Sequence, residues 1–280
     1  MGLARCAINP ETMQSKKYYV KPAKKAKTVA VVGGGIGGME AAILLAKRGH
    51  KVTLYEKTGK LGGVFVAAAA PSFKEKDREL IAWYIRELSK QPVEVKLNTE
   101  ITDIKSLKAD EIIIATGAKA KRIPIPGVEK SVEAVDYLLG NKQVGNKVVV
   151  IGGGLTGCEI AYDLYLQGKE PVIVEMQDDL ITTPGICLAN TSFLRDFFKA
   201  NKVKVHLESG VKEIKDGAVV ISDKDGKTSE IKTDSVVLSV GYNPAPIAKK
   251  SGHVHIIGDA QSVGNLRTVI WGAWDVAMKI

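Results

Sequence analysis

The stretch Thr28-Val-Ala-Val-Val-Gly33-Gly-Gly35-Ile-Gly-Gly38-Met39, running on to Lys51-Val-Thr-Leu-Tyr55-Glu56, decides the fold. Thr28 to Val32 is a short β-rich apolar run and reads as a strand. A glycine cluster follows, then Met39 to Lys47 with helical character, then a second strand from Lys51 to Tyr55 closed by Glu56. The glycines fall as Gly33-x-Gly35-x-x-Gly38 between strand and helix. Such a turn lets the backbone approach a phosphate, which then meets the free N–H groups and positive dipole end of the helix. An acid ending the second strand is placed for ribose hydroxyls. One cluster alone is weak evidence, because a tight strand-to-helix turn can need glycines for its own geometry.

The pattern restarts downstream. Lys147 to Ile151 reads as a strand, Gly152-x-Gly154-x-x-Gly157 as the turn, Cys158 to Leu166 as the helix, and Pro171 to Glu175 as the strand with its terminal acid. Glu56 stands 18 residues after Gly38, and Glu175 stands 18 after Gly157. Two copies in register point to two bound dinucleotides. Elsewhere, helical spacing predicts helices over Arg78–Lys90, Ser192–Asn201 and Leu266–Ile280. Strands are expected at Val93–Leu97, Glu111–Ala115, Val203–Leu207, Ala218–Ser222, Ser235–Val240 and Val254–Ile257. Strands alternating with helices imply an α/β fold with doubly wound parallel sheets.

Composition narrows the class. At 280 residues, 45% hydrophobic and 25% charged, the chain fits two globular domains. No apolar run is long enough to span a bilayer. Three scattered cysteines, Cys6, Cys158 and Cys187, make no disulfide framework and no Cys-x-x-Cys, so a reducing cytoplasmic setting is expected. The net charge of +9 draws on a lysine-rich tract from Lys16 to Lys27, which reads as a solvated linker. No RNA-binding signature accompanies it, so nucleic acid is not expected as a partner. Cys158 reads as a packing residue at a helix start. His253 and His255 alternate on a strand without an acidic or cysteine partner nearby in sequence, so no metal is expected there.

Smaller signals carry a family resemblance. Leu61-Gly62-Gly63 follows Glu56, Ala115-Thr116-Gly117 ends a strand, and Gly258-Asp259 ends another before the last helix. This set resembles the two-dinucleotide-binding flavoproteins that include glutathione and thioredoxin reductases. The resemblance implies two Rossmann-like domains, the NAD domain inserted in the FAD domain. It assigns Gly33, Gly35, Gly38, Glu56, Lys57, Gly62, Gly63, Thr116, Gly117, Gly258 and Asp259 to FAD. It assigns Gly152, Gly154, Leu155, Thr156, Gly157, Glu159, Glu175 and Gly241 to the nicotinamide cofactor, with Glu159 either a helix-start acid or a nicotinamide-pocket residue. Val240-Gly241-Tyr242-Asn243-Pro244 resembles the second crossover between the domains, where Arg commonly stands in place of Asn243.

A narrower resemblance runs through Cys6-Ala-Ile-Asn-Pro10, Leu61-Gly-Gly-Val-Phe-Val-Ala-Ala-Ala-Ala-Pro71 and Gly152-Gly-Gly-Leu-Thr-Gly-Cys158-Glu159. These are similar to the C-terminal module of the enoate reductase, dienoyl-CoA reductase and trimethylamine dehydrogenase group. In full-length members an FMN-bearing barrel and a 4Fe-4S segment come first. The resemblance implies that this chain is a fragment, with Cys6 matching the fourth cluster ligand. Expected boundaries are a lead-in at 1–26, an FAD domain at 27–143 and 243–280, and a nicotinamide domain at 144–242. The expected activity is hydride transfer from NADH to FAD, with electrons passing onward through 4Fe-4S to FMN and an enoate-type substrate. No protein acid or base is required for that transfer. Two alternatives stand beside it: a complete reductase serving a separate electron carrier, and a non-catalytic scaffold holding ADP. Glu175, followed by Met176-Gln-Asp-Asp179 without Arg or Lys, predicts NADH over NADPH, by on the order of thirtyfold.

Overall fold

The computed structural model describes residues 4–280; the first three residues of the expected lead-in lie outside it. After an irregular start come β1 (Thr28–Val32), α1 (Ile36–Lys47), β2 (Lys51–Tyr55), α2 (Phe65–Ala68), α3 (Glu75–Ser89), β3 (Val93–Lys96), β4 (Glu111–Ile114) and β5 (Ala118–Ala120). The chain continues through β6 (Val132–Glu133), α4 (Ala134–Leu138), β7 (Lys147–Ile151), α5 (Leu155–Leu166), β8 (Glu170–Val174), α6 (Leu188–Ala200) and β9 (Lys204–His206). Then come β10 (Gly210–Lys215), β11 (Ala218–Ser222), β12 (Thr228–Lys232), β13 (Ser235–Leu238), β14 (Tyr242–Pro244), β15 (Val254–Ile256) and α7 (Leu266–Ala277).

Contacts gather the chain into two compact units. The first takes the chain up to Val66, Glu75–Lys119 and Tyr242–Ile280. Its sheet has the order β15-β4-β1-β2-β3, and each of these pairs is parallel. Its core runs from Val29 and Val31 through Met39, Leu44 and Leu45 of α1 to Tyr84, Ile270 and Trp274. α7, the last element of the chain, packs on α1, its second. The second unit takes Ala67–Lys74 and Ala120–Gly241. It repeats the plan in a parallel sheet of order β6-β13-β7-β8-β9, beside an antiparallel meander β10-β11-β12. Both sheets have the doubly wound α/β form expected from the paired motifs.

Several expectations change in detail. Residues 120–143 join the second unit, not the first. Ile123, Ile125 and Val128 pack against the core cluster that holds Val219 and Ile221, and β6 pairs with β13. α1 and α5 begin at Ile36 and Leu155, one turn earlier than their apolar spacing indicates. Gly38 and Gly157 lower helix propensity, yet tertiary packing fixes them inside the first turn. β10 and β12 have no clean alternation because both carry charged residues on solvent-facing positions. The lysine tract is more than a linker. Tyr18 is buried against Trp271 and Trp274, and Lys27 Nζ pairs with Glu111 at 2.6 Å. Glu111 also meets His255 Nε2 at 2.9 Å, the acidic partner that local sequence did not supply.

Candidate functional site

Each unit builds the same turn from the same physics. Gly33 has φ +109°, and a Cβ there would lie 2.3 Å from the Ala115 carbonyl oxygen. A Cβ on Gly38 would lie 1.9 Å from the Gly33 oxygen. In the second unit Gly152 has φ +106° and a Cβ position 2.2 Å from the Ser239 oxygen, while that of Gly157 is 1.9 Å from the Gly152 oxygen. The fold itself therefore demands the outer glycines of each motif. It does not demand the middle ones. A Cβ on Gly35 would come no closer than 4.0 Å to anything, and one on Gly154 would meet nothing within 4 Å. The middle glycines keep a backbone surface bare toward open space, which suits close approach of a diphosphate.

The helix starts agree. Gly35 and Gly154 are the N-caps of α1 and α5, with no side-chain cap and no acid in either first turn. α7, by contrast, is closed by an Asn265–Thr268 capping box. The uncapped N–H groups of α1 and α5 are donors for an anion.

The acids close each turn. Glu56, 7% exposed, accepts the Gly34 N–H through Oε2 at 2.8 Å. Its Oε1 accepts the N–H and the hydroxyl of Thr58, both at 2.8 Å. Glu175 accepts the Gly153 N–H through Oε2 at 2.6 Å and the Gln177 N–H through Oε1 at 2.8 Å. A carboxylate offers about four lone-pair sites. Glu175 thus keeps one on each oxygen for a ribose diol, and Glu56 keeps one on Oε2. Gly34 and Gly153 were not singled out from sequence, though both motifs show three consecutive glycines. A Cβ on either would strike a leucine, Leu61 or Leu180, within 2.6 Å and press on the acid.

Leu61-Gly62-Gly63 lies beside the first turn. Gly62 N–H donates to the Gly34 oxygen at 2.9 Å, and a Cβ on Gly63 would lie 3.0 Å from Gly35 Cα. Lys57 projects into solvent next to Glu56. Thr116 gives its hydroxyl to the Ala245 carbonyl at 2.8 Å, so it fastens the returning chain, and Gly117 follows at φ +74°. Gly258, at φ +59°, follows Ile257, which packs against α1 near Gly37. Asp259 accepts the Gly264 N–H at 3.0 Å, and burial raises its carboxyl pKa above the ordinary value.

In the second unit Leu155 and Thr156 open α5, and Gly241, exposed at φ +90°, ends the unit. Cys158 is fully buried with its thiol donating to the Gly153 oxygen at 3.3 Å, and burial pushes it up to about 12. That fits packing, not reactivity. Glu159 pairs with Lys74 Nζ at 2.6 Å, both side chains largely shielded. Lys74 gives no local sequence signal; only the fold brings it to α5. A cavity of about 560 Å³ opens beside Glu175, lined by Met176, Asp178, Glu208, Lys212, Asp223 and Lys224. Cys6 is half-buried, and its carbonyl accepts the Trp271 indole N–H at 3.2 Å. Among the described residues no group of three or more His, Cys, Asp or Glu is placed to hold a metal ion. Nor is any helix among them long and apolar enough to cross a membrane.

Comparison with known proteins agrees with this geometry. The family model for pyridine nucleotide-disulphide oxidoreductases matches residues 27–272. A cinnamate reductase of Clostridium sporogenes is 42% identical over 98% of this chain and 42% of its own length. An NADH oxidase of Thermoanaerobacter brockii is 36% identical over 99% of this chain and 44% of its own. A 2-naphthoyl-CoA reductase structure superposes with a TM-score of 0.90 at 32% identity, covering 99% of this chain and 43% of that one. The thioredoxin reductase of T. acidophilum, at 18% identity and a TM-score of 0.72, shares the fold over nearly its whole length. The chain thus spans less than half the length of the reductases it most resembles among these. With two glycine turns, two strand-end acids and this match, the chain belongs to the pyridine nucleotide-disulphide oxidoreductase family.

Proposed function

We propose that the chain is the NADH-oxidising flavin module of a larger reductase, with FAD in the first unit and NADH in the second. The observation that carries this reading is the repeated turn whose middle glycine the fold does not require. FAD, when bound, supplies the hydride acceptor and the centre from which electrons leave. The chain's own residues bind and orient. Gly33 to Gly38 present bare backbone and uncapped N–H groups to one diphosphate, and Gly152 to Gly157 present them to the other. Glu56 and Glu175 hold ribose hydroxyls while fastening their own turns. Gly62, Gly63 and Asp259 complete the first site, and Lys74 holds Glu159 in place on α5. By analogy with the reductases it matches, Cys6 would serve a 4Fe-4S cluster, and an enoate-type acid or thioester would be the terminal acceptor. Those parts need more protein than this chain. Released cofactor separated by reverse-phase chromatography should be FAD. Recovery of ADP alone would favour the nucleotide-bearing scaffold.

Cofactor choice follows from the second site. NADPH would set a phosphate dianion beside Glu175 and near Asp178, Glu208 and Asp223. The fold also brings up Lys212 and Lys224, absent from the local sequence, but Lys224 is held by Glu208 at 3.0 Å. The two lysines reduce the penalty without cancelling it. NADH should bind about tenfold more tightly than NADPH, some 1.4 kcal/mol. Anaerobic titration of flavin bleaching with each cofactor measures the ratio. Equal affinities would remove Glu175 from the ribose.

A further inference from the structure

Glu40 sits in α1, two residues past Gly38, and none of the roles above uses it. It is 7% exposed, inside the core of the first unit. The indole N–H of Trp274 on α7 and the hydroxyl of Tyr84 on α3 both donate to its carboxyl. Three helices therefore meet on one acid. The charged groups facing it are Lys47, on the last turn of α1, and Glu11, in the lead-in, and they act in opposite directions. Burial outweighs both, together with the two hydrogen bonds, and pushes the carboxyl up to about 7. Among the described residues no cation forms an ion pair with it, and its two protonation states are close in energy at neutral pH.

α1 also carries the first nucleotide turn at its N-terminus. Gly35, the N-cap, lies five residues before Glu40, roughly 8 Å along the helix axis. The path between them runs through packed interior, where salt screens weakly. A diphosphate at the turn would place two negative charges there. Its field opposes ionisation of Glu40.

We propose that Glu40 is a positioning residue whose proton is linked to occupancy of the first nucleotide site: a bound diphosphate keeps Glu40 protonated, and protonated Glu40 keeps α3 and α7 seated on α1. The proposal rests on the assignment of Gly33 to Gly38 as a nucleotide site. Linkage is reciprocal, so protonation must strengthen nucleotide binding by the factor by which the nucleotide strengthens protonation. α7 begins at Leu266, seven positions after Asp259, so the same junction holds together the two chain segments assigned to that site. Affinity should fall about tenfold as pH rises from 6 to 9.

Calorimetric titration of FAD-depleted protein with FAD, and in parallel with ADP, tests this at pH 7.5 in two buffers of different ionisation enthalpy. The native protein should take up about half a proton on binding either ligand, and Glu40→Gln close to none. The glutamine keeps an acceptor for Trp274, and its affinity should vary less than twofold over the same pH range. Equal proton uptake by both proteins, or an equal pH slope, would overturn the proposal. Should Glu40→Gln fail to fold, Trp274→Phe serves. Loss of the indole donor raises the proton affinity of Glu40, so the midpoint of the binding profile should move to higher pH. An unmoved midpoint would again overturn the proposal. Binding of ADP but not FAD would reject the flavin assignment and leave the linkage measurable, because both ligands carry the diphosphate. Binding of neither would reject both.

Discussion

Gly154→Ala should weaken NADH binding by on the order of a hundredfold while changing the stability of the unliganded protein by less than about 1 kcal/mol. Gly157→Ala, three residues on, should do the reverse first: cost about 3 kcal/mol or more of stability, and binding with it. The contrast follows from where each added methyl goes. At Gly154 it enters open space, and the φ of −67° suits alanine. Only a ligand would be displaced. At Gly157 it would sit 1.9 Å from the Gly152 carbonyl oxygen, a backbone atom that cannot turn aside. Strand, turn and helix would have to separate. Gly35→Ala and Gly38→Ala should repeat the contrast for FAD. Thermal melts of cofactor-free protein, set beside NADH titrations, measure both quantities. Normal NADH binding by Gly154→Ala would show that the turn does not hold a diphosphate.

The second large effect is on stability against pH. The Glu40 carboxyl has an ordinary value of 4.5, and burial, the largest cause, raises it to about 7 in the folded protein. A raised value in the folded state means that the folded protein binds the proton more tightly than the unfolded chain. The stability that this supplies is fully present below about pH 4.5 and is lost as pH rises to about 7. Linkage puts the loss at about 3 kcal/mol. Glu40→Gln should remove this component of the pH dependence and be more stable than the native protein at pH 8. Denaturant midpoints from pH 5 to 8 measure it. A native curve that rises across that interval in parallel with the Glu40→Gln curve would show that Glu40 is ionised throughout.

Much of the fold was legible because the governing constraints are local. A glycine turn between a β-branched run and a helix, closed by an acid 18 residues past its last glycine, needs no distant residue to be recognised. Gly38 and Gly157 are demanded by carbonyls of their own turns, and Gly33 and Gly152 by their own positive φ as well as by a neighbouring strand end, so their spacing survives as a sequence signal. The partners that only tertiary structure supplies were not legible. Lys74 reaches Glu159 across 85 positions, Glu111 reaches His255 across 144, and Trp274 reaches Glu40 across 234. The division near residue 120 was hidden for a related reason. Ile123 and Ile125 carry no marker of the meander they cover. The charged strands β10 and β12 lack the alternation that would have announced them.

The interleaving of the two units bears on the order in which the chain can acquire structure. Everything between Ala120 and Gly241 belongs to the second unit, and its sheet and meander are complete once Leu238 has been made. The first unit is not complete then. β15, its edge strand, and α7, which covers α1, come from the last 27 residues. During synthesis, Val31, Met39, Leu44 and their neighbours must wait with one side uncovered while the inserted unit folds. The contacts that finally close this core span most of the chain, and loop closure over such separations is slow. A ribosome-bound chain arrested after Gly241 should therefore show a protease-resistant second unit beside a still-cleavable α1, with protection of α1 arriving only when α7 emerges.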